Sequence, residues 1–275
     1  MSAGSIAITG ASGGIGAALA EACAAPGVTL ALAGRDRTRL ESVAERCRVR
    51  GAEVYLACFD LTDPAAAEAW IDVADRRRPL DLLIANAGIS SGLGPDRAPE
   101  PAAAVRQVFA VNIGGMVNVV SPAIERMLPR GRGRIGLIGS LAGLRGLPSS
   151  PAYSASKAAV HVYGQALRGW LRPSGLSVTV ICPGYVDSPM SARVVGAKPW
   201  MIPASRAAKI ILDGIERGKA RVIFPLLLAW GIWALSLLPE PLALLFLGFF
   251  QFSVRKAPQS SRYSERPGGS TSGQR

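Results

Sequence analysis

The start of this chain constrains its fold more than any other stretch. The short apolar run Ser5–Thr9 is followed at once by residues 10–16, Gly-Ala-Ser-Gly-Gly-Ile-Gly, and then by a helical stretch. When a glycine turn joins a buried strand to a helix, the glycines let the backbone approach a pyrophosphate, and free N–H groups at the helix start attract its charge. The pattern therefore predicts a dinucleotide-binding unit.

The alternation of strands and helices continues along the chain. It predicts one α/β domain over residues 1–224, built on a doubly wound parallel sheet. Further strands are predicted at residues 28–33, 54–59, 80–85, 134–140, 177–182 and 220–224. Ligands of such sheets bind at the carboxyl ends of the strands. Polar and glycine-containing segments follow these strands, so we expect them to form one site.

A tyrosine and a lysine one helical turn apart carry the chemistry expected of that site. The sequence turns helical after Pro151, so Tyr153 and Lys157 share a helix face. An ammonium beside a phenol favours the phenolate and is expected to lower the pKa of Tyr153 from its free value of about 10. Tyr153 is then a candidate general acid or base, and the hydroxyl of Ser140 could hold a substrate carbonyl against it.

A long predicted helix over residues 102–128 contains Asn112, a residue type that is unfavourable in a helix interior. Asn112 could bend this helix and hold a water molecule near Lys157. His161, the only histidine of the chain, lies one turn past Lys157 and is expected to be a packed residue.

The residues after the second and third predicted strands bear on the cofactor. At the tip of the second strand an acidic residue binds a ribose 2′-hydroxyl, whereas an arginine accommodates a 2′-phosphate. Arg35 comes first here and Arg37 and Arg39 follow, so NADP(H) is predicted in preference to NAD(H). Asp36 is expected to cap the next helix. Asp60 could accept from the adenine amino group or serve as a turn residue.

These motifs, in this order, resemble the short-chain dehydrogenase/reductase family over residues 4–224. Residues 9–16 match its T-G-x-x-x-G-x-G motif, and residues 86–88 match its N-N-A-G motif with Ala85 in place of the first Asn. The resemblance implies a catalytic set of Asn112, Ser140, Tyr153 and Lys157. It implies a cofactor-binding set of Thr9, Gly10, Ser12, Gly14, Ile15, Gly16, Arg35, Asp60, Leu61, Asn86, Ala87, Gly88, Tyr153, Lys157, Pro183, Gly184, Val186 and Ser188.

The family resemblance also implies a mechanism. A hydride passes between a nicotinamide cofactor and a carbinol or carbonyl carbon, while Tyr153 exchanges a proton with the oxygen. Lys157 would lower the pKa of Tyr153 and bind the nicotinamide ribose, and Asn112 would position a relay water. The resemblance implies a substrate lid at residues 188–203, whose apolar composition favours a hydrophobic substrate, and a homo-oligomer.

The composition of the chain limits the classes of partner that it is expected to bind. The chain has 31 Lys and Arg against 19 Asp and Glu, a net charge of +12, and a mean hydropathy of +0.27. Such a balance suits an anionic cofactor, an anionic membrane surface or nucleic acid, but no nucleic-acid-binding motif is present. The four scattered cysteines form no disulfide or metal pattern, so no metal is expected and a reducing cytosolic environment is indicated. No signal peptide is expected, because a strand begins at Ser5.

An apolar extension follows the predicted domain. Residues 226–238 and 242–250 are almost wholly apolar and flank Pro239-Glu240-Pro241. Each half is shorter than the roughly 20 residues that a bilayer needs, and an ionised Glu240 at mid-membrane would cost about 3 kcal/mol. Both flanks are basic and stay on the cytoplasmic side. We therefore expect a monotopic helical hairpin at residues 225–254 that contacts the membrane through residues 226–252. A basic, disordered tail is expected at residues 255–275.

Two alternatives to the hairpin are a single tilted span and an apolar oligomer interface. The combined prediction is an NADP(H)-dependent reductase of a lipophilic, 3-keto lipid-like substrate at the cytoplasmic face of a membrane. One rival is a reductase of polar carbonyls that uses the extension only as an anchor. The other is a non-catalytic nucleotide-binding membrane scaffold or sensor.

Overall fold

Seven parallel strands form the central sheet of the computed structural model, which describes residues 4–94, 97–248 and 253–254. Along the sheet their order is β3-β2-β1-β4-β5-β6-β8. The strand order reverses between β1 and β4, which opens the crevice where ligands of such sheets bind. The strands are β1 (Ser5–Thr9), β2 (Thr29–Gly34), β3 (Glu53–Cys58), β4 (Leu82–Ala85), β5 (Gly133–Ile138), β6 (Leu176–Pro183) and β8 (Arg221–Phe224).

Helices cover both faces of the sheet. The long ones are α1 (Gly14–Cys23), α2 (Arg37–Val49), α3 (Pro64–Arg77), α4 (Ala102–Phe109), α5 (Gly115–Met127), α6 (Pro151–Leu171) and α8 (Ala204–Glu216). One core cluster joins α1, α2 and α8 to one face, and a second joins α3, α5 and α6 to the other. The strands inside the sheet, such as β1, β4 and β6, are buried on both faces and are therefore apolar runs without polar alternation.

The predicted doubly wound parallel sheet is confirmed, and the strand ends differ from the predicted ones by one or two residues. Strand β5 ends at Ile138, which leaves Ser140 in the turn beyond it. The predicted Asp36 cap is also present, because its side chain accepts a hydrogen bond from the backbone N–H of Arg39. Asp63 caps α3 in the same way by accepting from the N–H of Ala66.

The helix that contains Asn112 is interrupted. Between α4 and α5, residues Ala110–Gly114 form one turn of π-helix, a feature that bends helices and often marks functional sites. With the short turn after α5 the helix runs over Ala102–Arg130. It is the one helix in the described ranges that is long and apolar enough to cross a membrane by length and composition. Much of it is buried between α3, α6 and the sheet.

The segment predicted to form the substrate lid follows β6, and the apolar extension follows β8. The lid contains α7 (Pro189–Ala192) and β7 (Val194–Val195). The extension consists of α9 (Leu226–Leu237), α10 (Glu240–Gly248) and β9 (Ser253–Val254), and β9 pairs antiparallel with β7. The chain therefore returns from the extension to the lid. The predicted tail at residues 255–275 lies outside the described residues, as do residues 249–252.

Helix α9 is docked on the domain by one face. Its Leu228, Ala229 and Ile232 belong to an apolar cluster with Leu141, Leu144, Val180, Cys182 and Ile223. Leu141 comes directly after Ser140, so this helix packs against the segment that carries a candidate catalytic residue.

Candidate active site

The carboxyl ends of β1 and β4 are joined through polar side chains. The hydroxyl oxygen of Thr9 accepts hydrogen bonds of 3.0 Å from the backbone N–H groups of Asn86 and Ala87. The amide of Asn86 donates to the carbonyl oxygens of Thr9 at 2.9 Å and Gly10 at 3.2 Å. These bonds fix the glycine turn against the end of β4 at the point where the strand order reverses.

The glycine turn has the backbone geometry of a phosphate cradle. Gly10 and Gly14 adopt φ angles of +66° and +55°, which favour glycine. A Cβ atom on Gly16 would collide with the carbonyl oxygen of Gly10. Within the described residues no side chain caps α1, so its first N–H groups are available to an anion. The turn therefore fits a dinucleotide pyrophosphate. Ile15, inside the turn, packs against the core.

Arginine and serine side chains flank the outer side of the turn. Arg39 reaches over it, so that a Cβ atom on Gly13 would lie 3.2 Å from the Nη2 atom of Arg39. Ser12 lies against the end of β2, with its hydroxyl 3.3 Å from the position of a Cβ atom on Gly34. The exposed Arg35 follows Gly34 directly. This side of the site is therefore positively charged.

The two residues after β3 have different environments. Asp60 is exposed, and its Oδ1 accepts from the N–H of Thr62 at 2.9 Å and from its hydroxyl at 2.8 Å. The pKa of Asp60 is lowered, first by the backbone hydrogen bond and also by the charge of Arg35. Leu61 instead buries its side chain in the core, and its carbonyl accepts from the Asn118 amide at 3.0 Å. Only the backbone of Leu61 is left to contact a cofactor.

The structure brings Ser140, Tyr153 and Lys157 together. The Nζ atom of Lys157 lies 5.8 Å from the ring centroid of Tyr153 and donates to the carbonyl of Ile138 at 2.8 Å. The side chain of Ser140 lies close enough to the phenol of Tyr153 to lower its pKa. The three functional groups therefore converge at the end of β5, beside the crevice.

The expectation that Lys157 lowers the pKa of Tyr153 is wrong for this structure. Burial raises the pKa of Tyr153, and the hydrogen bond from Ser140 offsets part of that rise. Burial also lowers the pKa of Lys157, to about 8. Desolvation penalises the phenolate and the ammonium alike, and it is the largest cause of both pKa shifts. Tyr153 is thus a neutral proton donor at pH 7.

Asn112 holds the chain beyond β4. Its side chain accepts from the N–H of Ile89 at 2.8 Å and donates to the Ile89 carbonyl at 2.9 Å. It also donates to the hydroxyl of Ser156 at 2.9 Å, which in turn donates to the Tyr153 carbonyl at 2.8 Å. Gly88 lies between Asn112 and Lys157. The amide therefore connects the segment after β4 to α6, the helix that carries Tyr153 and Lys157.

His161 packs beneath Ser140, as expected of a packed histidine. Its Nε2 atom lies 3.4 Å from the backbone nitrogen of Ser140 and 3.4 Å from the sulfur of Cys182. Burial, followed by the charges of Arg221 and Lys157, lowers the pKa of His161 to about 4. The ring is therefore neutral and accepts the N–H of Ser140.

The turn after β6 closes the other side of the crevice. The N–H of Gly184, next to Pro183, donates to the carbonyl of Phe224 at 2.7 Å, and Val186 is buried and bridges to Ile202. Ser188 caps α7: its hydroxyl accepts from Ser191 N–H and donates to the carbonyl of Val186. A Cβ atom on Gly14 would lie 3.1 Å from that of Ser188, so this turn faces the glycine cradle.

Three residues near the site were not predicted from the sequence. Tyr185 is close enough to raise the pKa of Tyr153. It directly follows Pro183-Gly184, two predicted cofactor-binding residues, and this position could have identified it as a site residue. The carboxylate of Glu100 accepts from the N–H of Ala152, in the first turn of α6. Arg193 of the lid donates to the Ser90 hydroxyl at 3.2 Å. Glu100 and Arg193 lie in segments without periodicity, so no sequence signal marks them.

Comparisons with known proteins agree on one family. A family model described as short chain dehydrogenase matches residues 5–198. An uncharacterized oxidoreductase of Myxococcus xanthus is 35% identical over 236 residues, 86% of this chain and 92% of that protein. The 1-deoxy-11-beta-hydroxypentalenate dehydrogenase of Streptomyces exfoliatus is 37% identical over 185 residues, 66% of this chain and 67% of that protein.

Two solved structures share the fold. A short-chain dehydrogenase from Sphingobium yanoikuyae in complex with NADPH superposes with a TM-score of 0.73 at 28% identity, over 94% of this chain and 99% of that one. A short chain dehydrogenase from Mycobacterium paratuberculosis bound to NAD has a TM-score of 0.70 at 23% identity, over 79% and 94% of the two chains. The second likeness concerns the fold alone.

Proposed function

This chain belongs to the short-chain dehydrogenase family and is a nicotinamide-dependent oxidoreductase; on that premise we propose that it reduces a lipophilic carbonyl compound with NADPH at the cytoplasmic face of a membrane. The observation that carries the reaction class is the convergence of Ser140, Tyr153 and Lys157 beside the glycine cradle. When bound, the cofactor supplies the hydride that the carbonyl carbon accepts.

The protonation states favour reduction. A phenol is protonated at pH 7 and burial raises the pKa of Tyr153 further, so Tyr153 can donate a proton to the carbonyl oxygen. The hydroxyl of Ser140, which lies near the phenol, can hold the same oxygen. The nearby ammonium of Lys157 favours the phenolate that remains after the proton has left.

The basic side of the glycine turn supports NADPH as the cofactor. The guanidinium of Arg39 over Gly13 and the exposed Arg35 after β2 are suited to a 2′-phosphate. The relative from Sphingobium yanoikuyae, which binds NADPH, supports the same preference.

The extension and the lid support a lipophilic substrate that arrives from a membrane. Helix α9 packs next to Ser140 through Leu141, and β9 pairs with the lid strand β7. Exposed apolar side chains occur both on the lid, at Trp200 and Met201, and on α9. A bilayer in contact with α9 would therefore lie near the substrate lid.

Substituting Tyr153 with Phe tests the reaction class. Tyr153→Phe keeps the ring but removes the proton donor, a contribution of about 10²-fold to 10⁴-fold in turnover. We expect kcat for NADPH oxidation to fall by that factor while the Kd for NADPH, measured by fluorescence titration, stays within about twofold. Retained turnover in this variant would overturn the assignment.

A further inference from the structure

A basic groove lies along the open edge of the sheet, beside the start of α9. The cavity has a volume of about 600 Å³ and is lined by four cations, Lys209, Arg217, Lys219 and Arg221, and by apolar side chains that include Leu226. Its one carboxylate, Asp213, pairs with Arg217 at 2.7 Å. Asp213 neutralises one of these four positive charges, so the groove keeps an excess of three.

The outer face of α9 forms an apolar ridge. Leu226, Trp230, Trp233 and Leu237 recur at helical spacing and are 64%, 63%, 54% and 67% exposed. The opposite face is the one docked on the domain. Exposed apolar surface of this kind marks an interaction site, and tryptophan favours the boundary between lipid and water.

The groove and the ridge meet at Leu226, which lines the groove and begins the ridge. Helix α9 has 12 residues, or about 18 Å at 1.5 Å per residue, which is too short for a hydrocarbon core of about 30 Å. An apolar ridge bordered by cations instead matches a helix that lies in the headgroup region of an anionic membrane. A zwitterionic surface would leave the charge of the groove without a partner.

We infer that this surface binds a bilayer that contains anionic phospholipids, with the ridge in the headgroup and acyl boundary and lipid phosphates in the groove. The inference rests on the proposed membrane association and deepens it, because it names the charge of the lipid and the face of the domain that meets it. Arg217 is held by Asp213, so Lys209 and Lys219 are the residues whose removal tests the groove.

Vesicle co-sedimentation of the full chain is the test, with phosphatidylcholine vesicles that contain or lack phosphatidylglycerol. We expect binding to require phosphatidylglycerol and to weaken with salt. The double variant Lys209→Gln/Lys219→Gln should lose about thirtyfold in affinity, at about 1 kcal/mol for each basic residue near an anionic surface. Trp230→Ser/Trp233→Ser should also abolish binding, because it removes the ridge.

The matched control is Arg48→Gln/Arg76→Gln, which removes the same charge from exposed positions on α2 and α3. The vesicle affinity of this control should fall less than about threefold, because charges far from the membrane surface are screened. NADPH binding, measured for every variant, establishes that each is folded.

The outcomes separate the two proposals. Equal binding of the wild type to both kinds of vesicle would overturn the headgroup inference and leave membrane association standing. Absence of binding to either, together with a dimer in sedimentation velocity that Trp230→Ser/Trp233→Ser converts to monomer, would assign the ridge to a second copy of the chain and overturn both. Thermal stabilisation by inorganic phosphate without vesicle binding would assign the groove to a soluble anion and also contradict the inference.

Discussion

Burial sets the protonation states of the residues around the candidate catalytic tyrosine. It raises the pKa of Tyr153, lowers the pKa of Lys157 to about 8 and lowers that of His161 to about 4. A neutral His161 can accept the N–H of Ser140, and a neutral Tyr153 can give up a proton. The spacing of Tyr153 and Lys157 predicted their proximity, but the direction of the pKa shift depends on how deeply the fold buries them.

The lowered pKa of His161 predicts a pH-dependent stability. The unfolded chain takes up the proton near the ordinary pKa of 6.5 and the folded chain only near 4. The stability that the neutral His161 gives the folded protein is therefore fully present above pH 6.5. As the pH falls toward 4, the free energy of unfolding decreases by about 3 kcal/mol. Urea denaturation at several pH values measures it. In His161→Gln this part of the pH dependence should vanish, and an unchanged slope would contradict the account.

Arg39 is predicted to select the cofactor. A charge-assisted hydrogen bond contributes about 1.5–3 kcal/mol, so Arg39→Gln should raise the Kd for NADPH about tenfold or more and leave the Kd for NADH unchanged. Arg37→Gln, on the same exposed turn of α2, is the matched control and should have little effect. An equal loss of affinity for NADPH and NADH would mean that Arg39 does not bind the 2′-phosphate. The sequence indicates three arginines here, but only the fold shows which one reaches over Gly13.

At the scale of elements, helix α9 is part of the catalytic domain as well as of the extension. Its Leu228 side chain approaches Gly184 and belongs to the cluster around Leu141. Both contacts lie next to site residues: Gly184 in the turn after β6, and Leu141 after Ser140. We therefore expect the docked face of α9 to hold the substrate side of the site in place.

Truncation of Leu228 tests this role. Leu228→Ala should destabilise the protein by about 1–2 kcal/mol, less than the 2–5 kcal/mol of a fully buried leucine, because Leu228 is half-buried. It should also lower kcat several-fold in detergent. Leu227→Ala, one residue away and 65% exposed, should do neither. Thermal denaturation and steady-state kinetics measure these two effects. Equal stability and kcat in the two variants would show that α9 does not support the site.

The sequence predicts much of the sheet and little of the docking of α9. Strands buried on both faces are apolar runs, and the glycines and Asn86 follow them directly, so the sheet and its ligand-binding edge could be predicted. Asn112 signalled the interrupted helix, although its bonds to Ile89 could not be foreseen. Helix α9 is apolar all round, so no periodicity identifies its docked face. Its contact with Leu141 joins residues far apart in the chain.

At the scale of the whole molecule, the candidate site and the start of the extension lie at the same edge of the sheet. The glycine turn, Asn86, Tyr153 and the turn at Gly184 lie around the crevice where the strand order reverses. The extension leaves this edge after β8, packs beside Ser140 and returns to the lid at β7. This arrangement brings the exposed apolar face of α9, which we propose meets a membrane, close to the candidate oxidoreductase site within one chain.

The most direct measurement is NADPH oxidation in vesicles that contain phosphatidylglycerol, with a series of ketones that share one polar head and differ in chain length. NADH and the Tyr153→Phe variant are the controls. The account predicts that kcat/KM rises with chain length, requires NADPH and is lost in Tyr153→Phe. Turnover confined to short, polar carbonyls, or NADPH binding without turnover of any ketone in the series, would contradict it.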